Sequence, residues 1–328
     1  MIPHTAAPRW PDVRPGRFAS TIRRDSQEGC AVALLGLPDE TGVRLNHGRP
    51  GAADGPRAFR AALAGYGTPF DAAESHDLSG MVFDAGNVIA ASAPDGRGMA
   101  EAMHETHERV TQAARALHEM GLIVVGVGGG HDLTFPAVRA LSQHAGGPVG
   151  GINVDPHLDV RDPAVEPGSG IPFRALIDGG FLDPERFVEY GAGRFANSAE
   201  HHEWLTSRGA TIIGVDKARS YERALRLAFD RTSRSATHEP TFVSFDLDAI
   251  DASQAPGVSA PCPCGFSVQE AARIARNAGE EPSVRHFDLM ELSPPNDDPG
   301  PDAAPYGRTA RVAAFLFLTF LAGVRERR

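Results

Sequence analysis

The stretch Gly151-Ile-Asn-Val-Asp155-Pro-His157-Leu-Asp159 decides how this chain is read. An apolar run ends in three side chains able to bind a metal, set two residues apart. Residues two apart in a strand point to the same side, so Asp155, His157 and Asp159 can converge where strand gives way to loop. A second run, Thr241-Phe-Val-Ser-Phe245, ends the same way in Asp246-Leu-Asp248. A third, Leu122 to Val127, leads into Gly128-Gly-Gly130-His131. Parallel α/β sheets place their chemistry at such strand ends. One Asp-x-His-x-Asp is weak evidence, because acidic residues after strands often only cap the next helix. The combination is different. Aspartates at the end of a buried strand are costly unless paired or bound to a cation, and here that cost recurs beside histidines. Five carboxylate or imidazole groups from two strand ends, with His131 from a third, suffice for two divalent ions. Mixed oxygen and nitrogen donors suit a hard or borderline ion such as manganese, not a thiolate zinc site.

Outward from these motifs the chain alternates strand and helix. Ala31–Pro38, Leu122–Val127, Val149–Val154, Thr211–Val215, Thr241–Phe245 and Val284–Leu289 read as strands, most apolar on both faces. Arg57–Leu63, Met99–Met120, the segment after Asp132, Ala199–Arg208, Ser220–Phe229 and Ser267–Ala278 read as helices. That alternation predicts an α/β fold: one doubly wound, mostly parallel sheet with helices on both faces. Residues 1–28, rich in Arg and Pro, are expected to form an irregular arm, and 29–328 a single domain. Pro294 to Gly307 is expected to border the active site.

The 328 residues are 41% hydrophobic, enough for a large core. A net charge of −10 argues against nucleic acid or an anionic membrane as partner. Val312 to Val324 is the longest apolar run and falls short of a membrane span. The N-terminus lacks the apolar core of a signal peptide, so cytoplasmic residence is the expectation. Three cysteines make no disulfide framework, and Cys262-Pro-Cys264, flanked by Pro261, reads as a rigid loop.

Gly-Gly-Gly-His131, Asp155-x-His157-x-Asp159 and Asp246-x-Asp248-x-x-Asp251, in that order, resemble the ureohydrolase family of arginases, agmatinases and formimidoylglutamases. The match runs from about Gly42 to Gly323. Phe287-Asp-Leu-Met-Glu291-Leu-Ser-Pro-Pro looks like the family's late strand, in which a glutamate contacts the amidine or guanidine. The resemblance implies two manganese ions per subunit bridged by hydroxide, which attacks the substrate carbon. Their ligands would be His131, Asp155, His157, Asp159, Asp246 and Asp248. Asp159 and Glu291 would be catalytic: Glu291 holds the substrate's NH groups, and Asp159 carries a proton to the departing amine. Asp251 would brace its loop. A trimer or hexamer is also implied.

Within the family, the details are most similar to formimidoylglutamases. Gly42-Val-Arg-Leu-Asn-His-Gly-Arg-Pro and Tyr190-Gly-Ala-Gly-Arg-Phe-Ala-Asn-Ser198 look like loops of that branch. His131 is followed by Asp132 where arginases and agmatinases often have Ser. Gly168-Ser-Gly-Ile-Pro-Phe-Arg174 places Ser169 where those two usually carry a histidine, so no proton-shuttling histidine can be assigned. Pro156 replaces a commoner Ala. The implied reaction is hydrolysis of N-formimidoyl-L-glutamate to glutamate and formamide, in histidine breakdown. Its carboxylates need cationic partners, and Arg161, Arg174 and Arg194, with Ser169, are the candidates. The rivals are a hydrolase of another guanidino compound, a silent scaffold member, and a single-zinc deacylase. Intact ligand positions disfavour the last two.

Overall fold

The computed structural model describes residues 2–93, 98–219, 222–232, 239–298 and 306–327. Its centre is a nine-stranded sheet ordered β1-β5-β2-β6-β11-β10-β7-β8-β9. In chain order these are β1 (Thr5–Ala6), β2 (Val32–Leu37), β5 (Val82–Val88), β6 (Ile123–Gly128), β7 (Val149–Val154), β8 (Leu182–Ala192), β9 (Thr211–Gly214), β10 (Thr241–Asp246) and β11 (Val284–Met290). A separate small hairpin pairs β3 (Phe70–Asp71) with β4 (His76–Asp77). Every residue of β2, β6, β7 and β10 is buried. Strands covered on both faces have no solvent-facing side, which is why these read as mostly apolar runs.

All pairings in the large sheet are parallel except that of β1 with β5. The expected doubly wound α/β sheet is therefore the observed one. Its register positions the site. Phe245 lies beside Val154, Asp246 beside Met290, and Leu289 beside Val127. The carboxyl ends of β7, β10, β11 and β6 thus finish together along one edge.

Helices cover both faces. Helix α9 (Val268–Glu280) and α10 (Arg308–Arg325) lie on one, with Phe287 of the sheet stacked on Phe320 at 4.4 Å. Paired glycines let these helices touch backbone to backbone. A Cβ on Gly279 would fall 2.1 Å from the Phe320 carbonyl oxygen, and one on Gly323 would fall 2.3 Å from that of Arg276. On the other face α3 (Met99–Glu119) packs against α4 (Thr134–Ala145) over Val124, Leu35 and Leu37. No helix among the described residues is long and apolar enough to cross a membrane.

Residues 2–28 carry little regular structure but are tied down. Strand β1 extends the sheet edge, Phe18 is buried, and the Trp10 indole donates to Asp84 at 2.8 Å. Two strands, β5 and β8, lie where the hydrophobic pattern shows none. In β5 the break is Asp84, whose buried carboxylate is neutralised by Arg60 at 2.8 Å. In β8 it is Pro184, Arg186 and Glu189; Arg186 pairs with Glu239 at 2.6 Å, and Glu189 accepts from the Asn153 amide at 2.9 Å. The helix expected at Ser220–Phe229 is observed as Glu222–Thr232, residues 220 and 221 lying outside the described residues. Of the Pro294–Gly307 loop, 299–305 lie outside them too.

Candidate metal centre

His131 follows β6 through three glycines packed too closely for side chains. A Cβ on Gly129 would sit 2.1 Å from the Asp39 carbonyl oxygen. Asp155, His157 and Asp159 leave the end of β7, Asp246 and Asp248 the end of β10, and Glu291 follows β11. The structure brings all seven together. Asp159 (φ 46°) and Glu291 (φ 62°) adopt left-handed backbone, a strained conformation for non-glycine residues.

The donors fall into two groups. His131 Nδ1 lies 3.1 Å from Asp155 Oδ2, 3.0 Å from Asp159 Oδ2 and 3.1 Å from Asp246 Oδ2. His157 Nδ1 lies 3.2 Å from Asp155 Oδ1 and 3.4 Å from Asp248 Oδ2. Asp155 therefore turns one oxygen to each group, as a bridging ligand does. His131 Nδ1 and Asp248 Oδ1 are buried, with no hydrogen-bond partner among the described residues. Orphaned donors and acceptors aimed at a common point are unfavourable among themselves and suited to a cation.

The groups behind His131 fix its tautomer. The Ser244 hydroxyl donates to Asp288 Oδ1 at 2.6 Å, so its oxygen is left to accept the Nε2–H of His131 at 2.9 Å. Thr134 Oγ1 donates to Asp288 Oδ2 at 3.0 Å and holds that carboxylate in place. The proton is thereby kept on Nε2, and the Nδ1 lone pair faces the carboxylates.

Electrostatics agree with a site built for positive charge. Burial raises Asp246 well above the ordinary carboxylate range, and the charges of Asp248 and Asp155 add to it. Burial, then the charge of Asp155, lifts Asp248 to about 7. Glu291 is raised well above its usual value by burial and by Asp246. Burial disfavours the His131 and His157 cations, but the carboxylates that face them outweigh it and raise both. Among protein groups alone the cluster collects protons, and a divalent ion bound by the same atoms would displace them. The residues fit two divalent ions: one among His131, Asp155, Asp159 and Asp246, the other among Asp155, His157 and Asp248.

A cavity of about 340 Å³ opens over this cluster. His131, His157, Asp159, Asp246, Asp248 and Glu291 line its floor; Arg161 and Ser169 line its wall. Arg161 is hydrogen-bonded to Asn46, which also donates to Ser169 at 3.2 Å. Arg174 and Arg194 do not line it. Arg174 is drawn to Asp162 at 2.7 Å and lies over the Trp204 ring, and Arg194 pairs with Asp216 at 2.8 Å on the surface. Asp251 accepts from Ser253 within its own loop. Cys262 and Cys264 are free thiols. Sequence reading missed Asn46, Asn197, Ser198, His201 and Ser259, which complete the wall.

A parallel sheet whose neighbouring strand ends converge carboxylates and two imidazoles on two adjacent donor groups defines an α/β protein with a site suited to two divalent ions. The arginase-family model matches residues 30–323. The chain belongs to the arginase family, and it is a hydrolase of that family most like its formimidoylglutamases. It is 34% identical over 320 residues to the formimidoylglutamase of Halobacterium salinarum, covering 93% of this chain and 96% of the relative. It is 29% identical over 321 residues to the mitochondrial guanidino acid hydrolase of Homo sapiens, covering 94% and 83%. The crystal structure of Trypanosoma cruzi formiminoglutamase with Mn2+2 is similar with a TM-score of 0.84 at 31% identity, over 97% of this chain and all of that one.

Proposed function

We propose that this chain hydrolyses N-formimidoyl-L-glutamate to glutamate and formamide, using two manganese ions. The observation that carries the substrate class is the polarity of the cavity. All of its carboxylates are on the floor; the wall residues Asn46, Arg161, Ser169, Asn197, Ser198, His201 and Ser259 are neutral or cationic. That arrangement suits a ligand with an amidine head and an anionic tail, and disfavours a cationic tail such as that of agmatine.

The directions in which the site atoms point support the residue roles in this reading. Two ions in the paired donor sets would polarise water for attack near neutral pH. Glu291 Oε1 accepts the His131 backbone N–H at 2.9 Å, while its buried Oε2 has no partner among the described residues. That second oxygen is placed to accept the NH groups of a planar amidine and hold its carbon over the floor. Asp159, beside His131 and facing the cavity, takes the proton released as the new C–O bond becomes a carbonyl. Cytoplasmic residence and assembly into a trimer or hexamer belong to the same proposal, the latter checked by light scattering.

The test is turnover of formimidoylglutamate, arginine, agmatine and guanidinobutyrate by manganese-loaded enzyme beside a chelated sample. Preference for formimidoylglutamate, abolished by chelation and restored by about two equivalents of manganese per chain, is expected. Activity confined to a guanidino acid would replace the substrate, and activity that survives complete metal removal would overturn the mechanism.

A further inference from the structure

We propose that His201 delivers the proton to the leaving amine, a role that rests on the amidine hydrolysis proposed above. When the C–N bond breaks, its electron pair goes to an alkylamine nitrogen, which departs poorly unless protonated. The donor must line the cavity and carry a transferable proton. The titratable groups there are Asp159, Asp246, Asp248, Glu291, Arg161, His131, His157 and His201. Arg161 does not release its proton. The imidazoles of His131 and His157 are aimed at carboxylates 3.0–3.4 Å away, within the donor sets that also take Asp159, Asp246 and Asp248. Glu291 serves as an acceptor for the substrate. His201 is the remaining imidazole.

Its placement is specific. His201 lies in the first turn of the helix Ala199–Thr206, half-buried. Its backbone N–H is held by the Ser198 hydroxyl at 3.1 Å, while its ring makes no hydrogen bond among the described residues. Asn197, just before, clamps this segment to the metal-binding loop: its Oδ1 accepts from Leu158 N–H at 2.9 Å and its Nδ2 donates to the Pro156 carbonyl at 2.9 Å. The segment that carries the imidazole is thus held against Asp155–Asp159 by two hydrogen bonds of Asn197.

The step balances. Water adds to the amidine carbon through its oxygen and gives a neutral tetrahedral adduct. Imidazolium at His201 protonates the alkylamino nitrogen; the C–N bond breaks and its electron pair stays on that nitrogen. The hydroxyl proton of the adduct passes to Asp159 as the carbonyl of formamide forms. Both groups then return to their starting states by exchange with solvent.

His201→Gln, the exposed neighbour His202→Gln and the wild type are compared on two compounds, formimidoylglutamate and an O-aryl formimidate with 4-nitrophenol as leaving group. A nitrophenolate departs as the anion, without prior protonation. Loss of a general acid costs about 100-fold or more in kcat, so His201→Gln should lose that on the glutamate compound. It should lose less than about 5-fold on the aryl compound, with KM, metal content and the His202→Gln variant unchanged. Equal losses on both compounds would overturn the proposal. So would a raised KM with unchanged kcat, which would make His201 a carboxylate-binding residue. Should the wild type turn over guanidino acids alone, the substrate proposal fails, and a guanidino acid paired with the O-aryl isourea of the same nitrophenol still decides the role of His201.

Discussion

Ser244 touches no substrate, yet its removal should unbalance the two metal positions. In Ser244→Ala one oxygen is lost, and two buried groups lose their partner: the His131 Nε2–H, 2.9 Å away, and Asp288 Oδ1, 2.6 Å away. Each buried group left unsatisfied costs about 1–3 kcal/mol, so the variant should be about 2–6 kcal/mol less stable. At about 2.1 cal/mol/K of unfolding entropy per residue, a chain of this length carries about 0.7 kcal/mol/K, so Tm should fall by roughly 3–9 °C. The effect on metal is separate. Without an acceptor at Nε2, the His131 proton is free to move to Nδ1, the atom that faces the carboxylates. Loss of such an orienting partner costs about 10- to 100-fold in affinity. Titration calorimetry with manganese should show one step weakened by that factor and the other, at His157, retained. Thr134→Val is the control: Thr134 hydrogen-bonds Asp288 and the Ser244 hydroxyl, but the Ser244 oxygen that accepts from His131 is retained, so stability should fall while both ions bind normally. Wild-type affinity at both positions in Ser244→Ala, or equal weakening at both, would refute the tautomer argument.

Two further outcomes are expected. Glu291→Gln keeps an acceptor for the His131 N–H but turns an amide NH2 toward the substrate's own NH groups. Its kcat/KM should fall by about 100-fold or more, with metal content unchanged; undiminished turnover would remove Glu291 from the site. Asp39, raised to about 6 by burial and then by the charge of Asp132, should govern part of the pH dependence of stability. Its folded value exceeds its unfolded one, so its contribution is full below about pH 4 and is lost as pH rises through about 6. Denaturant unfolding between pH 4 and 7 should show the wild type losing on the order of 2–3 kcal/mol more than Asp39→Asn; parallel curves would place the slope elsewhere.

The legible parts of this molecule are those decided by neighbours in sequence. Strands β7 and β10 are apolar on both faces and end in their ligands, so composition and spacing locate both the strand and its chemistry. The hidden parts depend on partners far along the chain. Asp84 looks like a strand breaker until Arg60 is beside it, and Arg186 does so until Glu239 is. The arginines show the same limit. Arg161, Arg174 and Arg194 are equivalent as text, yet Asp162 and Asp216 hold two of them away from the cavity. Asn46, Asn197 and His201 lie on loops and a helix start with no period to mark them, and only the fold gathers them around the floor.

The left-handed backbone at Asp159 and Glu291 has a consequence for inheritance. Such positions cost about 1–3 kcal/mol each, and glycine would relieve most of it. Selection for stability alone therefore pushes both codons toward glycine, and only continued use of the side chains opposes the drift. A descendant released from catalysis should lose these two residues early. An intact Asp and Glu at the two strained positions is thus a sign of a lineage in which the reaction is still under selection.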